Sequence, residues 1–292
     1  DAGRRSQLAP PVLPAPGGSR VVPLLLNNGH EVRCLYRPSS DRSSLPQPEI
    51  EWVTGDLSDS QTLTSAMQGT DALVNIASLG FGHAENIITS AKNAGIKRAI
   101  FISTTAIFTK LNAKSKSVRM QAESAIESSG LDFTILRPTM IYGSPRDRNM
   151  WRLINFIKKF PVIPVFGDGS HLQQPIFVDD VAQAVVSCLS NENTVGKSYN
   201  IAGKYSLTYN AVIGIIADKL NKRVWKIHIP SKPVVALLNL FEKIHLPLPI
   251  KAEQVLRLNE NKDFSYAEAE RDFGFSPRSF EGGIGLEIKN AK

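Results

Sequence analysis

The sequence predicts a doubly wound α/β protein: a parallel sheet with helices on both faces, followed by a smaller C-terminal substrate lobe. Three observations carry this. Short aliphatic runs alternate with helical periods from residue 21 onward. They recur every roughly 20 to 30 residues, the length of one strand–helix unit. Gly29, Gly95 and Gly130 each stand just past a predicted helix, where a residue without a Cβ is favoured.

Taken in order, Val21–Asn28 reads as an amphipathic helix and Glu31–Tyr36 as a strand. Ile50–Val53 is a second strand, closed by the turn Thr54-Gly55-Asp56. Ser60–Met67 is helical, Ala72–Ala77 a buried strand, and Ala84–Ala94 a helix. Arg98–Ser103 is the next strand. A helix over Ser117–Ser128 and a strand over Asp132–Leu136 follow, leading into Arg137-Pro138. After Gly143 the rhythm loosens. Arg152–Lys159 reads as a helix and Phe160–Pro164 as a proline-bounded segment. Asp179–Leu189 is a helix with Asp179 or Asp180 placed to cap it and meet its dipole. Ser198–Ile201 is a strand; Tyr209–Leu220, Pro233–Ile244 and Tyr266–Phe273 are helices, the last followed by a loop. These elements divide the chain into an arm (1–17), a nucleotide-type domain (18–145) and a lobe (146–292). Residues 176–190 are expected to pack back on the first domain.

Length and composition agree. The 292 residues are 42% hydrophobic and 21% charged, which excludes a mainly disordered chain. Cys34 and Cys188 allow one bridge at most, so a disulfide scaffold is excluded and a reducing compartment is expected, cytoplasmic or an organelle stroma or matrix. No apolar run approaches the about 20 residues of a transmembrane helix. The formal charge is +7, and no acidic residue stands between Glu85 and Glu123, against seven basic ones. A second basic stretch holds Lys219, Lys222, Arg223, Lys226 and Lys232. A solvated surface, an anionic ligand such as a dinucleotide, and nucleic acid are the three readings, the last without any accompanying motif.

Several segments together resemble one superfamily. They are Asn28-Gly29-His30-Glu31-Val32, Gly55-Asp56-Leu57, Ile102-Ser103-Thr104, Ile135 to Gly143, and Pro175-Ile176-Phe177-Val178-Asp179-Asp180-Val181-Ala182. They resemble the extended and atypical short-chain dehydrogenases/reductases, the NAD(P)-binding epimerase/dehydratase-like proteins. Within these they are similar to the branch of the accessory Rossmann subunit of respiratory complex I. The resemblance covers about residues 18–285. It implies a Rossmann-like fold, with Asp56 and Leu57 at the adenine, Ala77 and Pro138 along the cofactor, and Ser103 and Thr104 near the chemistry. Tyr142 and His171, the latter after Gly167-Asp168-Gly169-Ser170, are implied at the substrate.

The cofactor site reads unevenly. A dinucleotide needs a strand, a glycine-rich turn and a helix N-terminus facing its pyrophosphate. The helix begins near Ser19 with Gly17-Gly18 before it, but Pro10, Pro11, Pro14 and Pro16 occupy the expected loop and strand. Proline has no N–H and fixes φ, so the first strand is not recognisable here. Residues 1–17 read either as a genuine, targeting-like arm or as a foreign segment, and NADP(H) is expected to be held weakly or lost. Arg37, at the end of the second strand, favours the 2′-phosphate of NADP over NAD, with Ser39, Ser40 and Arg42 as further donors; an exposed loop arginine is the alternative.

The family's proton shuttle is a Tyr-x-x-x-Lys pair. Aligning Gln121-Ala122-Glu123 on the family's Lys-Ala-Glu puts Ser117 and Gln121 at those positions, and Lys116 and Arg119 on other helix faces. No tyrosine stands between Tyr36 and Tyr142. The five histidines show no metal-ligand spacing, so no metal is expected. The functional readings are thus three. The first is an NADP(H)-binding reductase- or epimerase-like protein acting on a polar, nucleotide-linked substrate. The others are a non-catalytic nucleotide-binding scaffold or assembly factor in a protein complex, and a nucleic-acid binder.

Overall fold

A computed structural model describes residues 7–9, 18–38, 45, 49–144, 147, 149–244 and 250–290. The first half is strand–helix repetition. β1 (Gln7–Ala9) is followed by α1 (Gly18–Asn27), β2 (Glu31–Tyr36) and β3 (Ile50–Thr54). Then come α2 (Ser60–Met67), β4 (Ala72–Asn75), α3 (Ala84–Asn93), β5 (Arg98–Ile102), α4 (Lys114–Glu127) and β6 (Asp132–Pro138). Short strands β7 (Ile141–Tyr142), β8 (Val162–Phe166), β9 (Leu172–Gln173) and β10 (Ile176–Phe177) surround α5 (Met150–Lys159) and lead into α6 (Val178–Leu189). The remainder is β11 (Lys197–Ile201), β12 (Leu207–Thr208), α7 (Tyr209–Lys219), β13 (Trp225–Ile229) and α8 (Ser231–Lys243). Three helices close the chain: α9 (Ala252–Leu258), α10 (Ala267–Phe273) and α11 (Phe280–Asn290).

Seven strands form one parallel sheet in the order β11-β6-β5-β4-β1-β2-β3. The chain reverses direction across the sheet between β1 and β4. Outside the carboxyl ends of the strands at such a reversal, doubly wound sheets hold their ligands. Both faces are covered, and side chains alternate between them as the pleat requires. Along β5, Ile100 and Ile102 pack with α1 and α6, while Ala99 and Phe101 pack with α2, α3 and α4. Each fully buried Leu, Ile or Phe contributes about 1.5–3 kcal/mol relative to exposure. A third core, around Tyr142, Ile154, Val165, Phe177, Ile213 and Ile284, forms the C-terminal lobe.

The arm requires a correction. Gln7-Leu8-Ala9 forms the central strand, with Leu8 level with Val32 on one side and Ala72 on the other. All four prolines follow it in sequence and so do not prevent its pairing. Residues 10–17, where the glycine loop is expected, lie outside the described residues.

Other departures have local causes. The start of α4 is Lys114, one turn before Ser117, behind Ala113, which offers no capping side chain. Helix α6 starts after Phe177 without a side-chain cap. Asp180 instead accepts from the backbone N–H and Nε of Arg278 at 3.0 and 2.8 Å, and Asp179 lies 3.3 Å from Arg20 of α1. Those two contacts fasten α1 and the segment before α11 to α6. The short strand Val162–Phe166 holds Pro164, and it pairs in parallel with β13. Cys34 and Cys188 are buried and unbridged, and burial pushes both thiols up to about 12. Among the described residues no helix is long and apolar enough to cross a membrane.

Candidate functional site

A cleft of about 1620 Å³ opens over the carboxyl ends of the strands, between the sheet and the C-terminal lobe. It exceeds the about 300–1,000 Å³ of an ordinary small-molecule pocket, leaving room for a dinucleotide and a second ligand. One end is made by the loops after β2 and β3. Arg37, Gly55, Asp56 and Leu57 lie there, with His83 across from them. Asp56 Oδ1 accepts from the N–H and the hydroxyl of Ser58 at 2.9 and 2.6 Å. The Ser58 hydroxyl, and then its N–H, hold the Asp56 carboxyl below its usual pKa, with Arg37 and His83 adding smaller favourable charge. Gly55 is tightly seated: a Cβ there would meet Leu35 Cδ1 at 2.6 Å.

The middle of the cleft follows β4 and β5. Ala77, Ser103 and Thr104 line it. The Ser103 hydroxyl is buried and has no hydrogen-bond partner among the described residues. A buried polar atom without a partner at a ligand cleft points to a ligand that supplies one. Thr104 is already engaged, its Oγ1 accepting from Ala106 N–H at 3.2 Å as the cap of a short helical turn.

On helix α4 the residues facing the cleft are not those aligned with the family's Tyr and Lys positions. Ser115 and Arg119 line the cleft; Ser117 and Gln121 do not. The two frames differ by two residues, about 200° around a helix, so only one can face the ligand. Arg119 Nη1 donates to Ser115 O at 3.4 Å, and its guanidinium lies against Gly80, where a Cβ would stand 3.1 Å away. Burial, and then the like charge of Arg257, lower the Arg119 pKa from its ordinary value. The cleft-facing pair at spacing four is therefore serine and arginine. A periodicity argument over Ser115, Arg119 and buried Ala122 and Ile126 could have found this frame.

The lobe side holds Tyr142, Ser144, Asp147 and residues of α9, namely Lys251, Glu253, Gln254 and Arg257. Tyr142 is buried, its hydroxyl 3.5 Å from Phe280 O, and burial drives its pKa far up, so the phenol stays protonated. Asp147 accepts from the N–H groups of Asn149, Met150 and Trp151, capping α5, while burial raises its pKa.

Two expected residues stand elsewhere. His171 lies outside the cleft, with Nδ1 3.7 Å from Asp168 and its carbonyl accepting from Tyr209 N–H. Its loop turns towards α7, not towards the nucleotide side. Pro138 lies within the sheet, opposite Ile201, and its carbonyl accepts from Thr105 Oγ1 at 3.3 Å. Gly18 begins α1. Ser39, Ser40 and Arg42 lie outside the described residues. Of the basic run, Lys92 and Lys116 donate to the carbonyls of Ser129 and Thr109, and Arg98 donates to Asp132 O, Thr134 and Thr194. Those charges serve the fold. Among the described residues no three His, Cys, Asp or Glu side chains group as metal ligands.

A fold of this order with a cleft at its reversal point defines a nucleotide-binding α/β protein. A family model described as NAD(P)H-binding matches residues 17–192, and the chain belongs to that family, within the extended short-chain dehydrogenases/reductases. Among its relatives is the NADH dehydrogenase (ubiquinone) 1 alpha subcomplex subunit 9, mitochondrial, of Arabidopsis thaliana. It is 29% identical over 182 residues, 61% of this chain and 45% of that protein. The N-acetyl-alpha-D-glucosaminyl-diphospho-ditrans,octacis-undecaprenol 4-epimerase of Escherichia coli O157:H7 is 24% identical over 218 residues, 63% of this chain and 64% of that protein. The matches span less than two thirds of the length of either relative. In fold, the chain is similar to UDP-glucose 4-epimerase of Thermotoga maritima. The TM-score is 0.74 at 16% identity, covering 98% of each chain. It is also similar to dTDP-glucose 4,6-dehydratase of Streptomyces venezuelae with NAD bound. There the TM-score is 0.72 at 18% identity, covering 98% of this chain and 96% of that one.

Proposed function

We propose that this chain binds NADP(H) in the cleft, with Arg37 on the 2′-phosphate, and acts as a reductase- or epimerase-like protein on a polar, nucleotide-linked substrate. The observation that carries the reading is Arg37 on the cleft wall at the end of β2, beside an ionised Asp56. Asp56 and Leu57 take the adenine end. Ala77 lies along the cofactor's path, and the partnerless Ser103 hydroxyl bonds the nicotinamide end or the substrate. The N–H groups opening α1 at Gly18 face the pyrophosphate. Pro10, Pro11, Pro14 and Pro16 offer that group no N–H, so the dinucleotide is held weakly. When bound, the nicotinamide supplies a hydride donor or acceptor; the chain supplies its position and the exclusion of water.

Ser115 and Arg119 favour a second reading. Neither a serine hydroxyl nor a guanidinium shuttles a proton near neutral pH as a tyrosine activated by lysine does. On that reading the nucleotide is structural and the chain serves a protein assembly, as the mitochondrial relative's name suggests for that protein. The two readings separate in one assay. NADPH oxidation across sugar nucleotides and quinones supports the enzyme; saturable NADPH binding without turnover supports the scaffold. In either case Arg37→Ala is expected to weaken NADPH about tenfold or more and leave NADH unchanged, because one charge-assisted contact is lost. Fluorescence titration of both nucleotides measures this. An equal effect on the two would remove Arg37 from the 2′-phosphate.

A further inference from the structure

The second basic stretch found in the sequence has no part in the cleft. It runs into β13, which pairs with β8 in parallel, Trp225 level with Val162 and Ile227 level with Pro164. In a pleated pair, level residues and residues two apart share a face. These four side chains therefore form one apolar tile, and it points outward. Trp225 is 75% exposed, Ile227 53% and Val162 41%, while their alternates Ile163 and Val165 are buried in the lobe core. Phe160, two residues before Val162, is 42% exposed and carries Lys159 Nζ over its ring at 5.5 Å. Large apolar side chains gathered on an exposed face mark a contact surface.

The rim is cationic. Lys222 donates to the carbonyl of Lys158, bringing the end of α5 beside the turn that enters β13. Lys159, Lys222 and Arg223 are all exposed there. No acidic residue occurs between Asp147 and Asp168 or between Asp218 and Glu242, the two segments that build the tile and its rim.

We propose that this face docks the protein on an anionic phospholipid surface, with Trp225, Ile227, Val162 and Phe160 at the headgroup level and the lysines over the lipid phosphates. The choice of a bilayer over a protein partner follows from composition and size. Lysine is depleted in protein interfaces, which draw roughly 20–30 residues from each side. Tryptophan flanked by lysine suits the lipid–water boundary, where each basic residue multiplies partitioning roughly fivefold. The proposal is independent of the nucleotide.

Flotation of the full chain with vesicles tests it. Binding to phosphatidylglycerol–phosphatidylcholine vesicles is expected, at least tenfold weaker with phosphatidylcholine alone and weaker at high salt. The double variant W225S/I227S, at exposed positions, is expected to lose most of the binding with an unchanged melting temperature. Lys159→Glu with Lys222→Glu is expected to lose it through charge alone. No binding to the anionic vesicles, equal binding to both kinds, or unaltered binding by both variants overturns the proposal. So does a face that proves to be covered by a second copy, seen as a dimer dissociated by W225S/I227S in the absence of lipid.

Discussion

Glu287→Gln is expected to stabilise the protein at pH 8 and to remove a fall in stability that the wild type shows as pH rises. Glu287 is on the inward stripe of α11 with Phe280, Ile284 and Ile288, and is only 3% exposed. Both carboxylate oxygens are buried without a well-formed hydrogen bond among the described residues, and the nearby backbone N–H of Gly143 offers only a weak favourable contact. Burial first, and then the charge of Asp147, push its pKa up to about 8 from 4.5. A folded-state pKa above the unfolded one means the native state holds the proton longer. Stability is therefore unaffected below the unfolded pKa, falls between about 4.5 and 8, and levels off above. The slope approaches about 1.4 kcal/mol per pH unit, which across the window accumulates to at most about 5 kcal/mol, and to the order of 3 kcal/mol once solvent screening is counted. Glutamine keeps the shape and cannot ionise. Urea unfolding of wild type and variant at pH 5 and pH 8 gives the comparison. A difference that does not grow with pH would show that Glu287 is not the titrating group.

Arg137→Met is expected to cost about 3 kcal/mol at neutral pH, since it strands a buried carboxylate. The Nε and Nη2 of Arg137 both donate to Glu123 Oε2, at 2.9 and 2.7 Å, joining the end of β6 to α4. Glu123 is buried, its other oxygen has no partner among the described residues, and the guanidinium also lies 5.7 Å from the Phe108 ring. With the arginine gone, the carboxylate stays buried without its partner. The double variant Glu123→Leu with Arg137→Met is expected to recover most of the stability, because a buried pair is worth little more than well-packed apolar groups. Additive losses in the double variant, read from denaturation midpoints, would mean that the two residues do not act as a pair.

The strand–helix rhythm from residue 21 to Pro138 was legible because each buried strand is an aliphatic run and most helices end at a glycine. Gly29, Gly95 and Gly130 do adopt positive φ. What escaped was structure that lacks such signals. β1 is three residues long and precedes a proline-rich stretch that draws attention away from it. Strand β8 carries a proline at an exposed position, and α11 carries Gly282, Gly283 and Gly285, poor helix formers. Gly283 is nevertheless required, since a Cβ there would stand 2.1 Å from the Tyr142 hydroxyl. Arg37, Asp56, Leu57, Ala77 and Ser103 line the cleft, each just past a strand, where the topology fixes its position. The place of His171 depends on a loop's direction, which no local pattern carries; the pair on α4 depends on a helix phase that the spacing of Ser115, Arg119, Ala122 and Ile126 does carry, behind an N-terminus without a capping side chain.

Isothermal titration of the full chain with NADPH, and then with NADH, tests the nucleotide site most directly. One site per chain, favouring NADPH by about tenfold or more, is the expected result. No heat from either nucleotide at millimolar concentration, or equal affinity for the two, would contradict the assignment of the cleft and of Arg37.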